Sequence, residues 1–389
     1  MAGHIRKRKT KTGCSWQVII ETQGDSQGNR RRLYKTVDGS KKDAEKVLAQ
    51  LMTELNQGML VEPSRLTLAL YLRDWLETYC EPNLSPTTLD GYRVNIERHI
   101  IPSIGHLKLQ DLTPLHLQRL YKERLERGRV DGKGGLSAKS VLYIHRNLHE
   151  ALDHATRMQL VPKNVAALVT LPKVKQYRPT VYDEEQLRLL IKAAKDADIE
   201  IPITLAVSLG LRRGELLGLR WENVDLEKRT ITVSDNLVPT SKGNITKAPK
   251  SENSRRTIDM PEGLVEILRK HRLKQAEWRL MLGPMYRDEG YVCCQQDGSY
   301  WAPSYFSKKF ADFLRKHNLP HCRLHDLRHS NATLMLKHGV PAKVASQRLG
   351  HSGIGITLDL YSHVLSDMQK DAAERIDMGI FQTTGRAVR

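Results

Sequence analysis

The sequence predicts a multidomain, mainly α-helical protein that opens on a small three-stranded β-sheet with one helix and closes on a mixed α+β domain. Three observations carry that expectation. Apolar residues recur at helical spacing from residue 66 to about 170, apolar and polar residues alternate near Trp16 and Leu33, and short β-branched runs interrupt a helical pattern after residue 182. At 389 residues the chain is long enough for two or three domains.

The first domain, residues 1–60, rests on WQVIIET and RRRLYKTV, which alternate as strands and are separated by the turn-rich GDSQGN. DAEKVLAQLMTEL follows at helical spacing, with Val47, Leu48, Leu51 and Leu55 on one stripe. Residues 66–170 read as four helices. Thr67 caps a helix with Leu68, Tyr71, Leu72, Trp75, Leu76 and Tyr79 on one wide face. Ser85-Pro86 and Thr113-Pro114 start the second and third, the latter stopping at Gly128. A fourth starts at Ser137, carries Val141, Ile144, Leu148, Leu152 and Ala155, and ends before Pro162. Residues 171–181, basic and proline-marked, form a linker. In the last domain, residues 182–389, Asp183 and Gln186 form a capping box. Helices then predominate, broken by the strand-like TITV (230–233), RRTIDM (255–260) and YVCC (291–294).

Lysine and arginine number 62 against 44 acidic residues, a net charge of +18, which favours a polyanionic partner such as nucleic acid. Residues 1–50 alone hold twelve basic against five acidic residues, in runs such as RKRK (6–9) and RRR (30–32). A twisted sheet faced by arginines suits a DNA groove. No apolar run approaches the roughly 20 residues that span a bilayer, so the expected location is cytoplasmic. Cys14, Cys80, Cys293, Cys294 and Cys322 make no CxxC framework, so reduced thiols and no zinc are expected, with Cys293 and Cys294 in a short strand.

Four pieces after the linker hold groups suited to chemistry: GLRRGELLGLRW (210–221), KAPKSENSRRTI (247–258), HDLRH (325–329) and LGHSGIGITLDLYSHV (349–364). Each alone has a plainer reading, respectively a helix corner, a polar hairpin turn, a chance helical pentapeptide and a half-buried tyrosine. Together they offer cations, proton carriers and one phenol, with no required carboxylate or thiol. That set suits a phosphodiester. Two guanidiniums can clamp its non-bridging oxygens and stabilise the charge of the transition state, as a metal ion otherwise does. A phenol, of pKa about 10, attacks only with a base or cationic field to help it ionise.

In joint order these pieces resemble the tyrosine recombinase (phage-type integrase) family, over nearly the whole chain. The family signature is Arg-x-x-Glu, a hairpin lysine, His-x-x-Arg, Leu-Gly-His and a following tyrosine. It stands here as Arg212 with Glu215, Lys250, His325 with Arg328, Leu349-Gly350-His351, and Tyr361. The layout looks most like the integrases of conjugative transposons and of phages with separate arm-type sites. The resemblance implies an arm-type DNA-binding domain (1–60), a SAM-like, four-helix core-binding domain (66–170) and a catalytic domain with a C-terminal tail (182–389). Tyr361 becomes the nucleophile that forms a 3′-phosphotyrosyl link and expels a 5′-hydroxyl. Arg212 and Arg328 clamp the scissile phosphate, and Lys250 protonates the leaving oxygen, with Lys247 a weaker candidate. His325 accepts a proton, His351 hydrogen-bonds the phosphate, and Glu215 buttresses the arginine helix. No metal is implied, because guanidiniums take its place, and no ATP or other cofactor, because the phosphotyrosine ester conserves the phosphodiester energy.

The implied function is site-specific recombination through a Holliday junction, integrating and excising a mobile element. Its implied partners are double-stranded DNA at core and arm sites, four protomers on DNA and an excision factor. The tail carries a stripe of Met368, Ala372, Ile376 and Ile380 that can either dock on a neighbouring protomer or pack on the core of its own. Competing readings are a DNA-binding protein without catalysis, for which Tyr361 has no use, and a metal-dependent transposase, which needs a carboxylate triad that the dispersed acids do not suggest. A type IB topoisomerase shares the chemistry but not the two-part DNA-binding front end.

Overall fold

The computed structural model describes residues 3–10, 13–21, 32–56, 64–175, 177, 179–195, 197–241, 243–247, 255–351, 353–355, 358, 373, 374, 376–378 and 380. The chain divides into two compact units, Met1–Lys175 and Gln176–Arg389.

In the first unit, β1 (Gly3–Thr10), β2 (Gly13–Glu21) and β3 (Arg32–Val37) form an antiparallel sheet in the order β1-β2-β3. The register pairs Ile5 with Val18, Ile20 with Leu33 and Trp16 with Val37, so these share one face. Helix α1 (Lys41–Asn56) covers that face through Ala44 and Leu51. Ser40 starts α1 by donating its N–H and hydroxyl to the Asp43 carboxylate, at 2.9 and 2.7 Å. The other face presents His4, Arg6, Arg8, Tyr34 and Thr36, all exposed. The RKRK run is therefore strand. The run shows no apolar alternation, and among the described side chains of β1 it is Ile5, just before it, that packs on the core.

The four-helix layout follows the caps. Thr67 accepts from the Leu70 N–H and starts α2 (Leu68–Trp75), which widens into a π turn (Leu76–Cys80) and ends in α3 (Glu81–Asn83). The second helix repeats this, with α4 (Pro86–Asn95), a π turn (Ile96–Ile100) and α5 (Ile101–Ile104). Each wide turn sits just ahead of a proline, Pro82 or Pro102, whose ring and missing N–H do not fit a regular turn. Then come α6 (Pro114–Arg127), capped by Gly128, and α7 (Ala138–Arg157), started by the Ser137 side chain. Leu72, Ile96, Ile100, Leu117, Ile144 and Leu148 are fully buried between them.

The second unit is built around α9 (Glu200–Leu209), whose Ile203, Leu205 and Leu209 are fully buried. Helix α8 (Glu184–Ala194) precedes it, started by the Asp183–Gln186 capping box, and the short α10 (Arg213–Leu217) follows. Strands β4 (Val224–Asp225), β5 (Thr230–Val233) and β8 (Arg256–Asp259) form one sheet in the order β4-β5-β8. TITV and RRTIDM thus pair directly, and a second hairpin, β6 (Asn236–Thr240) with β7 (Gly243–Lys247), is inserted between them. Helices α11 (Glu262–Leu282), α12 (Pro303–Lys316), α13 (Asp326–Lys337) and α14 (Ala342–Leu349) complete the unit.

YVCC is not a strand of a sheet. It makes isolated bridges only, Arg220 with Tyr291 and Cys294 with Tyr300, because it crosses a bend under α11 where His271 and Gln275 take its carbonyls. Cys80, Cys293, Cys294 and Cys322 are free and buried, and burial pushes the Cys294 and Cys322 thiols up to about 11. Among the described residues no helix is long and apolar enough to cross a membrane.

Candidate DNA-cleavage site

The site forms where α9 ends, α13 begins and α14 ends. Arg212 holds the N-cap position of α10, and its N–H donates to Glu215 Oε2 at 3.0 Å. Its guanidinium donates to Glu215 Oε1 at 2.7 Å and to the Gly350 carbonyl. Glu215, only 5% exposed, also receives Arg256 from β8 through Nη1 at 3.2 Å and Nη2 at 3.0 Å. Burial works to raise the Glu215 pKa, but the hydrogen bonds and charge of Arg256 and Arg212 outweigh it and hold the carboxyl below its usual range.

Arg328, from the first turn of α13, is 2% exposed. It donates to the Gly210 carbonyl at 2.8 Å and the Leu349 carbonyl at 2.6 Å. Burial, then the charges of Arg212 and Arg256, pull its pKa down to about 9, so it stays a cation at neutral pH. Gly350 closes α14 in the left-handed region at φ 67°, and a Cβ there would lie 2.9 Å from Arg256 Nη1. The position requires glycine on both counts.

Asp326 anchors the start of α13. Buried, it accepts from the Arg323 guanidinium at 2.9 Å and from the Tyr177 hydroxyl at 2.8 Å, and Arg323 stacks on the Tyr177 ring at 3.4 Å. The last part of the expected linker, Tyr177 onward, therefore packs on this unit. His325 keeps an exposed edge beside that anchor, its ring edge-on to His329 at 5.1 Å. Desolvation, then His329 and Arg328, lower His325 to about 4. His351, just past α14, is likewise lowered to about 4 by desolvation, then by Arg328 and Arg212. Both imidazoles are neutral at pH 7. His329 is lowered too, chiefly by desolvation, and its buried Nδ1 has no partner among the described residues.

Four of the six expected site residues, Arg212, His325, Arg328 and His351, thus come together. Lys250 and Tyr361 lie outside the described residues, as do Met368 and Ala372 of the tail stripe and the side chain of Lys247. Ile376 and Ile380 are 56% and 69% exposed. Sequence reasoning missed Arg256, whose one signal was a second arginine opening RRTIDM. Around the site, Arg212, Arg256 and Arg328 face the single carboxylate of Glu215, an excess of two positive charges among the described residues (three minus one). Such an excess of guanidinium is suited to hold an anion.

Residues 180–368 match the family model described as the phage integrase family, and residues 67–125 match the phage integrase N-terminal SAM-like domain. A tyrosine recombinase XerC-like protein of Caldanaerobacter subterraneus subsp. tengcongensis is 27% identical over 94% of this chain and 97% of its own. The ICEBs1 integrase of Bacillus subtilis is 26% identical over 95% and 98%. Among solved structures, the Tn1549 transposon integrase in complex with transposon right end DNA aligns with a TM-score of 0.65 at 20% identity, covering 80% of this chain and 99% of that one. A lambda integrase dimer bound to a COC′ core site aligns at 0.56 and 17%, covering 91% and 93%. These likenesses show the fold: mainly helical, with a small sheet in front and an α+β domain behind.

Proposed function

The chain belongs to the phage integrase family of tyrosine recombinases, and from that premise we propose that it cuts and rejoins DNA at specific sites to integrate and excise a mobile element. The observation that carries the reading is the excess of buried guanidinium over carboxylate around Arg328. A phosphodiester supplies the missing anion, and its transition state gains more from the cations than its ground state does.

In the proposed step, Arg212 and Arg328 hold the non-bridging oxygens. The Tyr361 oxygen attacks phosphorus, His325 takes the phenolic proton, and the bond to the 5′-oxygen breaks as Lys250 protonates it. The product is a 3′-phosphotyrosyl ester, with His351 donating to the phosphate. Neutral imidazoles suit these roles, since His325 must begin unprotonated to accept. Attack by a second 5′-hydroxyl reverses the step, nearly isoenergetically. No metal and no ATP take part.

The remaining parts follow the same reading. Residues 1–60 bind arm-type DNA through the sheet face that bears His4, Arg6, Arg8 and Tyr34. Residues 66–170 bind the core site together with residues 182–389, across the linker 171–181. Four protomers join two duplexes in the bacterial cytoplasm, each tail docking on a neighbour, and an excision factor sets direction. Tyr361→Phe tests the core of it: the variant should shift DNA in a gel as the parent does but form no covalent adduct on a nicked suicide substrate. An adduct that survives the change reassigns the nucleophile.

A further inference from the structure

Three consecutive carbonyls at the C-terminus of α14 each accept from a different arginine. Arg348 O takes Arg256 Nε at 2.8 Å, Leu349 O takes Arg328 Nη2 at 2.6 Å, and Gly350 O takes Arg212 Nη2. The carbonyl end of a helix carries partial negative charge, so it gathers the cations and sets their spacing. Arg328 turns to the Gly210 carbonyl as its second partner, whereas Arg256 shares Glu215 with Arg212 but meets it with two nitrogens. Both of its Nη atoms lie on Glu215, which leaves Arg212 only one side-chain contact to that carboxylate, through Oε1.

We propose that Arg256 is a positioning residue for strand cleavage: by sharing Glu215 and holding the Arg348 carbonyl, it keeps Arg212 aimed and incompletely neutralised. This rests on the recombinase reading above. Without Arg256, both Glu215 oxygens can fork onto the Arg212 guanidinium, the geometry arginine and carboxylate prefer. That fork would turn Arg212 away from the phosphate and cancel the charge the transition state needs. Arg256, at 8% side-chain exposure and fully engaged by Glu215, does not itself serve as a phosphate clamp. Its position on β8 also ties the sheet to the end of α14.

The test is single-turnover formation of the covalent adduct on a nicked suicide substrate at saturating DNA, with DNA affinity and thermal midpoint measured on the same preparations. Arg256→Met should slow cleavage about 100-fold, the scale set by ångström misplacement of a clamping group, with DNA affinity unchanged. Adding Glu215→Gln to Arg256→Met should restore much of the rate, because the competing carboxylate is gone. Arg256→Lys, which keeps the charge but not the fork, should fall between. Combining Arg256→Met with Arg212→Lys should cost hardly more than Arg212→Lys alone, since both act through one group.

Wild-type cleavage rates in Arg256→Met and Arg256→Lys overturn the proposal. So does a loss of rate in Arg256→Lys that tracks a loss of thermal stability, with Glu215→Gln giving no rescue. A wild-type chain that forms no adduct refutes the recombinase reading itself, a result distinguishable from either.

Discussion

In the helical bundle of residues 66–170, Leu72, Ile96, Leu117 and Leu148 are fully buried, and polar groups that enter with them find neutral partners. Tyr71 donates to the Ala151 carbonyl at 2.6 Å, Asn95 to Asn147 at 2.7 Å, and Tyr121 meets His145 at 3.0 Å. Around Arg328 the balance is different: two guanidiniums, of Arg212 and Arg256, share the Glu215 carboxylate, Arg328 has backbone carbonyls in place of a counter-ion, and two imidazoles are held neutral by desolvation and cationic neighbours. In the bundle, Tyr71, Asn95 and Tyr121 pair with other side chains or with backbone, although Trp75 Nε1, His99 Nδ1 and Arg124 Nε are buried without a partner among the described residues. The candidate site gathers more cation than carboxylate among the described residues, and it is on that difference that the proposed function rests.

The contrast breaks most clearly at Arg328. Arg328→Met should lower cleavage about 10³-fold, the scale of losing one transition-state donor, while the loss of a buried cation without a carboxylate partner partly offsets the cost, about 1–3 kcal/mol, of leaving the Gly210 and Leu349 carbonyls without their donor. Single-turnover adduct formation and thermal melting check both halves; a melting loss as large as that of a core deletion would make Arg328 a structural residue. Leu148→Ala is the mirror experiment, expected to cost about 2–5 kcal/mol in denaturant unfolding while the folded fraction cleaves normally. Gly350→Ala should join the two regimes. A left-handed alanine costs about 1–2 kcal/mol, and its Cβ displaces Arg256, so cleavage should fall further than stability accounts for. Ser137→Ala, a cap in the bundle, should cost about 1 kcal/mol and leave cleavage alone.

Titration sharpens the comparison with the smallest effect. An unfolded imidazole has a pKa of about 6.5, whereas His325 and His351 are lowered to about 4, so the unfolded chain binds more protons between those values. Their contribution to stability is complete above about pH 6.5 and is lost as pH falls toward 4. Bundle histidines His99 and His145 are lowered as well, mainly by desolvation. Ring-proton NMR separates the groups. DNA should raise the His325 and His351 titrations, because a phosphate favours the protonated form, and leave His145 where it is.

Much of the bundle was legible in the sequence because its signals are local. Thr67, Ser85-Pro86, Thr113-Pro114 and Ser137 each stand at a helix start, with apolar stripes behind them. β1 was not legible, since cations occupy both of its faces and only its ladder to β2 makes it a strand. Nor was the β6-β7 hairpin, whose place depends on a close approach to α10: a Cβ on Gly214 would fall 1.7 Å from Asn236 Oδ1 and 2.8 Å from the Leu237 carbonyl. At the candidate site, residue types and order singled out Arg212, His325, Arg328 and His351, which the structure brings near one another. The roles of Arg256 and of the Gly210, Leu349 and Gly350 carbonyls were hidden, because they are tertiary contacts to backbone, which carries no residue code.

The most direct measurement is to trap the parent protein on a nicked core site in the presence of a metal chelator, digest the adduct, and identify both the modified residue and the DNA end attached to it. A 3′-phosphate on Tyr361, formed equally fast with chelator, is the expected result. Attachment through a 5′-phosphate, a different residue, or cleavage that returns only when Mg²⁺ is restored contradicts a phosphate held by arginines and attacked by a phenol.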